Sequence, residues 1–389
     1  MRQVVIASAC RTPIGSFQGT LSGVTAPRLG SIVIRDAVSR AGISPKQVDE
    51  VFMGCALAAG VGQAPARQAA IFAGIPNSVP CTTINKVCGS GLKSVMLGAL
   101  TIMAGEADIV VAGGMESMSN APYLLEKART GYKMGDGKIV DSMVKDGLWD
   151  VYNNFHMGNA AELCARECNI PRGAQDEFAA LSYRRALKAM DNGYFKNEIV
   201  PVPVDTKDGG FVEEDEEPRR VKFDKMVQLK PAFEKDGTVT AANASKLNDG
   251  AAAVVLMAEE TARELLIEPL ARIVSQASHA QAPEQFTTAP VSVIQKLLKK
   301  SGLKKEDIDL FEINEAFAVV LLAAKQTLDL DIDRVNIHGG AVALGHPIGA
   351  SGTRILTTLI YAMRRKDSHK GLAAICIGGG EAAGIIIER

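Results

Sequence analysis

This 389-residue sequence is written twice, and that constrains its fold more than any other feature. RQVVIASACRTP (2–13) is echoed by ARIVSQASHAQAP (271–283), each a β-branched run followed by small residues and a proline. SRAGISPKQVDEVFMG (39–54) is echoed by KKSGLKKEDIDLFEIN (299–314), where a helix ends at a glycine and an acidic turn leads into a short apolar strand. ADIVVAGG (107–114) is matched by LAAICIGGG (372–380), and GAAAVVLMAE (250–259) by EAAGIIIER (381–389). All βα proteins resemble themselves locally, but four matching blocks in one order indicate an internal repeat. Strands alternating with helices predict a layered α/β sheet. The helix expected at Leu92–Ala104 carries apolar Leu92, Val95, Met96, Ala99, Leu100 and Met103 at i, i+3, i+4 spacing. The expectation is two similar α/β halves: 1–117 with 250–270, and 271–389.

The stretch 118–249 has no counterpart in the second half and reads as an insertion before the last strand of the first. It holds the only tryptophan, Trp149, and the acidic run EEDEE at 213–217. Long insertions on rigid scaffolds often carry binding surfaces. Lys plus Arg number 43 against 44 for Asp plus Glu, a net charge of -1, so no bulk field recruits nucleic acid or an anionic membrane. Any grip on phosphate must come from a local cluster. Seven cysteines without a CxxC pair suggest reduced thiols rather than a disulfide framework. A zinc site at His156, Cys164 and Cys168 would lack a fourth ligand. The N-terminal apolar run is too short for a signal segment, no apolar run reads as reaching membrane length, and a cytoplasmic protein is expected.

Chemistry concentrates at strand ends. In INKVCGSGLKS (84–94), Cys88 stands at a strand-to-helix turn, where a helix N-terminus favours a thiolate. A small buried thiol is the plain alternative. HGGAVALGHPIGASG (338–352) has GxxxxG spacing, but His346 and Pro347 replace the Lys and Ser/Thr that a phosphate loop requires. His346, held rigidly among glycines, is poorly explained by packing, whereas His338 reads as structural. In AICIGGGEAAG (374–384), Cys376 ends a strand, and the repeat sets it opposite Val110. Two thiols and one imidazole at strand ends allow one sulfur to carry an acyl group while another group moves a proton. FEINEAFA (311–318) adds Asn314 and Glu315, which read either as an amide for a water or carbonyl oxygen or as a strand-ending turn.

ACRTPIGSFQG, NKVCGSGLKS, VAGGMESMSNAPY, NASKLNDGAA, NEAFA, GHPIGASG and CIGGGEA, in that order along the whole chain, closely resemble the biosynthetic branch of the thiolase family. The resemblance implies duplicated halves packed as a layered α-β-α-β-α sandwich, with 118–249 as an inserted loop domain. It implies reversible Claisen condensation of two acetyl-CoA to acetoacetyl-CoA plus CoA through an S-acetyl-cysteine. Cys88 would be the nucleophile, His346 the acceptor of its proton, and Cys376 the acid/base at the substrate α-carbon or leaving thiol. Asn314 would hold a water that completes one oxyanion site with His346, and the N–H groups of Cys88 and Gly378 would form the other. Arg219, Ser245, His156, Met157, Phe233 and Phe317 would bind coenzyme A, with Arg219 and Arg220 inseparable by sequence. GYKMGDGK (131–138) matches the loop through which such enzymes form homotetramers. Coenzyme A enters as substrate, with no metal, permanent cofactor, nucleic acid or membrane partner implied.

Two positions depart from the family pattern: Lys246 stands where glycine is usual, and Phe286 where methionine often borders the acyl pocket. A bulky Phe286 would favour a short acyl group. A β-ketoacyl synthase shares the duplicated fold but pairs its cysteine with two histidines, or His and Asn, which Cys376 argues against. A non-catalytic acyl-CoA binder would have lost one of Cys88, His346 and Cys376. A redox-switched scaffold, resting on Cys88 and a second thiol, stays open. The direction of the reaction is not written in the sequence.

Overall fold

In the computed structural model, which describes residues 2–205 and 210–389, the repeat becomes two sheets that share an edge. The first contains β1 (Val4–Arg11), β2 (Glu50–Gly54), β3 (Cys81–Ile84), β4 (Ile109–Ser117) and β5 (Asn248–Ala258), in spatial order β1-β5-β4-β2-β3. The second contains β6 (Ala271–Ala280), β7 (Leu310–Ile313), β8 (Lys370–Ile377) and β9 (Glu381–Glu388), in the matching order β6-β9-β8-β7. β1 and β6 pair only at Val5↔Arg272 and Ile6↔Ala271, which makes one ten-stranded sheet once the short strand Gly15–Ser16 is included. The equivalence extends to irregularities: β1 shifts register between Ile6 and Ser8, and β6 between Ile273 and Ser275.

The two halves also share a side-chain device that fixes their alignment. Asp49 Oδ2 accepts the N–H groups of Asp108 and Ile109, and Asp309 Oδ2 accepts those of His369 and Lys370. Ile109 therefore corresponds to Lys370, and Cys376 to Met115. The expected match with Val110 is corrected. It aligned glycines that do different jobs: Gly113 and Gly114 lie inside β4, whereas Gly378 to Gly380 form the turn after β8.

Both faces of the sheet are covered, so its strands are apolar on both sides. On β1, Val5 and Ala7 pack outward with α1 (Ala26–Arg40) and α2 (Pro65–Ala73), while Val4 and Ile6 pack inward. The inner layer is α3 (Ser90–Ala104) and, from the second half, the helix Ile348–Lys366. Helices α4 (Met157–Glu167) and α5 (Arg172–Asp191) belong to the chain between β4 and β5. α6 (Ala289–Ser301) and α7 (Ala318–Leu328) cover the outer face of the second half. The inner helix Ile348–Lys366 is α8. The sequence of layers is α-β-α-β-α.

α3 and α8 touch through glycine. A Cβ on Gly352 would lie 2.4 Å from the Leu92 nitrogen, and one on Gly91 3.0 Å from the Gly349 oxygen. Burial between two sheets also explains why Val87–Ala104 is long and apolar enough to cross a membrane, contrary to the reading that no run reaches that length. Here two protein layers take the place of lipid.

Candidate active site

The N-termini of α3 and α8 and the chain between β4 and β5 enclose a cavity of about 490 Å³. Cys88, His346, Gly378, Met157, Phe286 and Phe317 are among its lining residues.

Cys88 sits in a tight corner between β3 and α3. Val87 adopts a left-handed φ of 46°, unusual for a β-branched residue. Asn85 Oδ1 accepts the Val87 N–H at 3.0 Å, and Ser90 Oγ accepts the Lys86 N–H at 2.9 Å while donating to the Val87 carbonyl at 2.6 Å. Such a conformation costs about 1–3 kcal/mol and persists only where its surroundings hold it. The thiol is half-buried, and burial pushes its pKa up to about 11. The N–H groups of Gly378 and of Cys88 itself pull it down, but less strongly. Desolvation thus outweighs the helix end that was expected to favour a thiolate, and the resting group is a neutral thiol.

His346 occupies the other corner. Ser351 Oγ donates to the Pro347 carbonyl at 2.9 Å and lies 2.6 Å from His346 Nδ1. With its own proton committed, the serine accepts from Nδ1–H, which assigns the proton to Nδ1 and leaves a lone pair on Nε2. Nε2 is buried and has no hydrogen-bond partner. Burial, then the charge of Arg354, lowers the imidazole pKa to about 3. Asn248 Oδ1 holds the His346 N–H at 2.9 Å. The site therefore pairs a protonated thiol with a neutral imidazole whose open nitrogen can receive a proton.

Cys376 is fully buried, in the same packed cluster as Met157, Phe286, Phe317 and Ala316. Burial raises its thiol well above the usual range, and the neighbouring Cys88 raises it further. Asn314 is also fully buried, and neither its side-chain oxygen nor its nitrogen has a partner. Neither is among the residues that line the cavity, but Cys376 packs against four that are, and Asn314 precedes the lining residue Ala316 by two positions.

The thiolase N-terminal domain family matches residues 4–260, and the thiolase C-terminal domain family matches residues 267–389. The chain belongs to the thiolase family. It is 54% identical to an acetyl-CoA acetyltransferase of Cupriavidus necator over 392 residues, covering all of both chains. It is 53% identical to one of Schizosaccharomyces pombe over 390 residues, covering 100% of this chain and 99% of the relative. The solved structure of the Bacillus anthracis acetyl-CoA acetyltransferase superposes with a TM-score of 0.98 at 43% identity, covering 100% of this chain and 99% of that one.

Within this thiolase, Ser245, His156, Met157, Phe233 and Phe317 all line the cavity. His156 stacks on Phe233 with ring centroids 4.9 Å apart, and its Nδ1 accepts the Gly158 N–H at 3.0 Å. Phe317 meets Phe233 and Phe286 edge-on at 6.1 and 6.4 Å. The two arginines separate: Arg220 lines the cavity, while Arg219 pairs outside it with Glu214 and Asp191. Lys246 also lines the cavity, but its ammonium donates to the Ala244 and Val342 carbonyls at 2.9 and 3.1 Å. Glu315 is structural, accepting from Ser182, Asn336 and the Val342 N–H.

Three supporting residues escaped sequence reasoning. Ser351 fixes the imidazole tautomer, and Asn248 holds the backbone of the histidine. Glu116 accepts the N–H groups of Ala56, Leu57 and Gly349, tying the first half to the start of α8. Burial raises the Glu116 pKa to about 7 despite those bonds. Its signal was a carboxylate in an otherwise apolar strand, IVVAGGMES.

Proposed function

We propose that this thiolase is an acetyl-CoA C-acetyltransferase that condenses two acetyl-CoA to acetoacetyl-CoA and CoA, and runs the reverse. The observation that carries the mechanism is the unpartnered Nε2 of His346, a residue that lines the same cavity as Cys88. In the first half-reaction, Cys88 Sγ attacks the acetyl carbonyl while Nε2 takes its proton. The C–S bond to CoA breaks, and the leaving sulfur takes that proton from Nε2. A thiol suits this exchange because the new thioester is nearly isoenergetic with the old.

In the second half-reaction, Cys376, its own proton handed to the Nε2 of His346 that the first half-reaction has freed, removes a proton from the methyl group of a second acetyl-CoA. The enolate carbon attacks the S-acetyl carbonyl, and Cys88 leaves as a thiolate and is reprotonated by His346, which restores the resting thiols and imidazole. Two carbonyl oxygens become negative in turn, so two donor sets are needed. The Cys88 and Gly378 N–H groups serve the enzyme-bound acetyl group, and a water on Asn314 with His346 serves the enolate. Losing one donor of this kind typically costs about 3–4 kcal/mol. Arg220 replaces Arg219 in this reading as the cavity-side cation for coenzyme A, together with Ser245, His156, Met157, Phe233 and Phe317.

The proposal includes a homotetramer assembled through 131–138, where Met134 is fully exposed, and a cytoplasmic location. Light scattering tests the first and cell fractionation the second. The deciding experiment is CoA-dependent cleavage of acetoacetyl-CoA by the purified protein. Two acetyl-CoA formed per acetoacetyl-CoA consumed is the expected result, and absence of both cleavage and Cys88 acetylation would overturn the assignment.

A further inference from the structure

A second cavity, of about 750 Å³, lies away from Cys88 and His346. Ala7 and Ser8, at the bulge of β1, form part of its wall with Leu270. Arg40 comes from the end of α1, Lys196 from the loop after α5, and Arg364 and Arg365 from the end of α8. Among the described residues no carboxylate lines it.

The charge balance is as follows. Asp36 pairs with Arg40, and each helix C-terminus contributes roughly half a negative charge. About two positive charges remain in excess. Two of the cations are held in place: Arg40 donates to the Asn197 and Ile199 carbonyls and to Tyr361, and Arg365 stacks over Tyr194 with its guanidinium 4.0 Å from the ring centre. Lys196 and Arg364 have no side-chain hydrogen bond or ion pair among the described residues.

The repeat supplies an internal control. Basic residues often finish helices because they oppose the dipole. α3, the counterpart of α8, ends Ile102–Met103–Ala104–Gly105–Glu106 with no basic residue in its last turn. A helix in this place needs no cations to terminate, and while Arg365 packs on Tyr194, Arg364 is not explained by the fold. A cavity of this size also exceeds what a single inorganic phosphate fills.

We propose that this cavity binds the phosphate groups of a nucleotide-sized anion, either a free nucleotide or the phosphorylated nucleotide end of a second coenzyme A. The test is calorimetric titration of the full-length enzyme with ATP, diphosphate and CoA, in wild type and in the double variant Lys196→Ala/Arg364→Ala. The expected result is saturable ATP binding at this cavity. Its affinity falls at least about tenfold in the variant, while kcat and KM for acetoacetyl-CoA stay unchanged. Two CoA sites per chain, the second lost in the variant, would support the proposal and assign the ligand to coenzyme A. Diphosphate binding as tightly as ATP would support a phosphate site that does not read the nucleoside. Absence of binding by every probe, or equal binding by wild type and variant, would overturn it.

Discussion

The corner before α3 and the corner before α8 occupy equivalent places in two copies of one fold, yet one carries a thiol and the other an imidazole. The first copy reaches its helix through the short turn Asn85–Gly89, which forces Val87 into a left-handed conformation. The second takes the longer path Asn336–Pro347, with its own short helix Ala341–Leu344. Glu315 and Asn336 fasten that path, Asn336 Oδ1 accepting the Ile313 N–H and its amide donating to the Ile313 carbonyl. Glycine-mediated contact between α3 and α8 then brings the corners together. Met115 and Cys376, and Gly54 and Asn314, are further equivalent pairs in which only the second copy carries a polar or reactive group. The duplicated fold supplies two convergent helix ends, and in the proposed mechanism the nucleophile stands in one copy and the proton-moving groups in the other.

If that division holds, Cys88→Ala has the largest effect. Turnover should fall by about 10⁴-fold or more, and intact mass should show no acetyl adduct. An acetylated variant would break the comparison at its first member. Cys376→Ala should still be acetylated on Cys88 by acetyl-CoA, yet lose condensation by about 10²–10⁴-fold. Normal turnover there would remove proton transfer at the α-carbon from the second copy. Ser351→Ala frees His346 Nδ1 and should cost roughly tenfold in the acetylation rate with folding intact. Rapid-quench acetylation measures this, and an unchanged rate would mean that the tautomer is held by something other than Ser351.

Phe286→Met should raise the ratio of C6 to C4 ketoacyl-CoA cleavage by a few-fold, roughly 1 kcal/mol for a side chain bordering an apolar pocket. The smallest effect is expected from pH. The reactive pair is neutral on both sides: it is lost when His346 gains a proton, near pH 3, or Cys88 loses one, near pH 11. The rate constant for acetylation should therefore be flat from about pH 5 to 9. A steep rise centred near pH 6.5 would show that His346 carries the ordinary imidazole pKa.

The duplication was legible because strand matching depends on local apolar pattern, and all four repeated blocks became equivalent strands. Its fine register was not, since the matched glycines at 113–114 and 378–380 serve packing in one copy and a turn in the other. Cys88, His346, Cys376 and Asn314 stood out as candidates because thiols, imidazoles and amides at strand ends have few structural explanations, and the structure sets Cys88 and His346 on one cavity. Their electrostatics were not. Helix position argued for a thiolate, whereas desolvation by groups distant in sequence leaves a neutral thiol. Ser351, Asn248 and Glu116 escaped because an ordinary serine, asparagine or glutamate gains its role only from what the fold sets beside it. Arg219 and Arg220 are neighbours in the chain, and only the 3-10 turn at Pro218–Arg220 decides which faces the cavity.

The seam between β1 and β6 has a consequence for solubility. A strand at the rim of a sheet offers unpaired N–H and C=O groups to any other chain. Here each copy blocks the other's rim over two residue pairs, and α3 and α8 fill the space beneath. Either copy alone would present both a raw strand and a bare apolar face, which is a template for self-association. Fusing the copies in one chain keeps the shield permanently at hand.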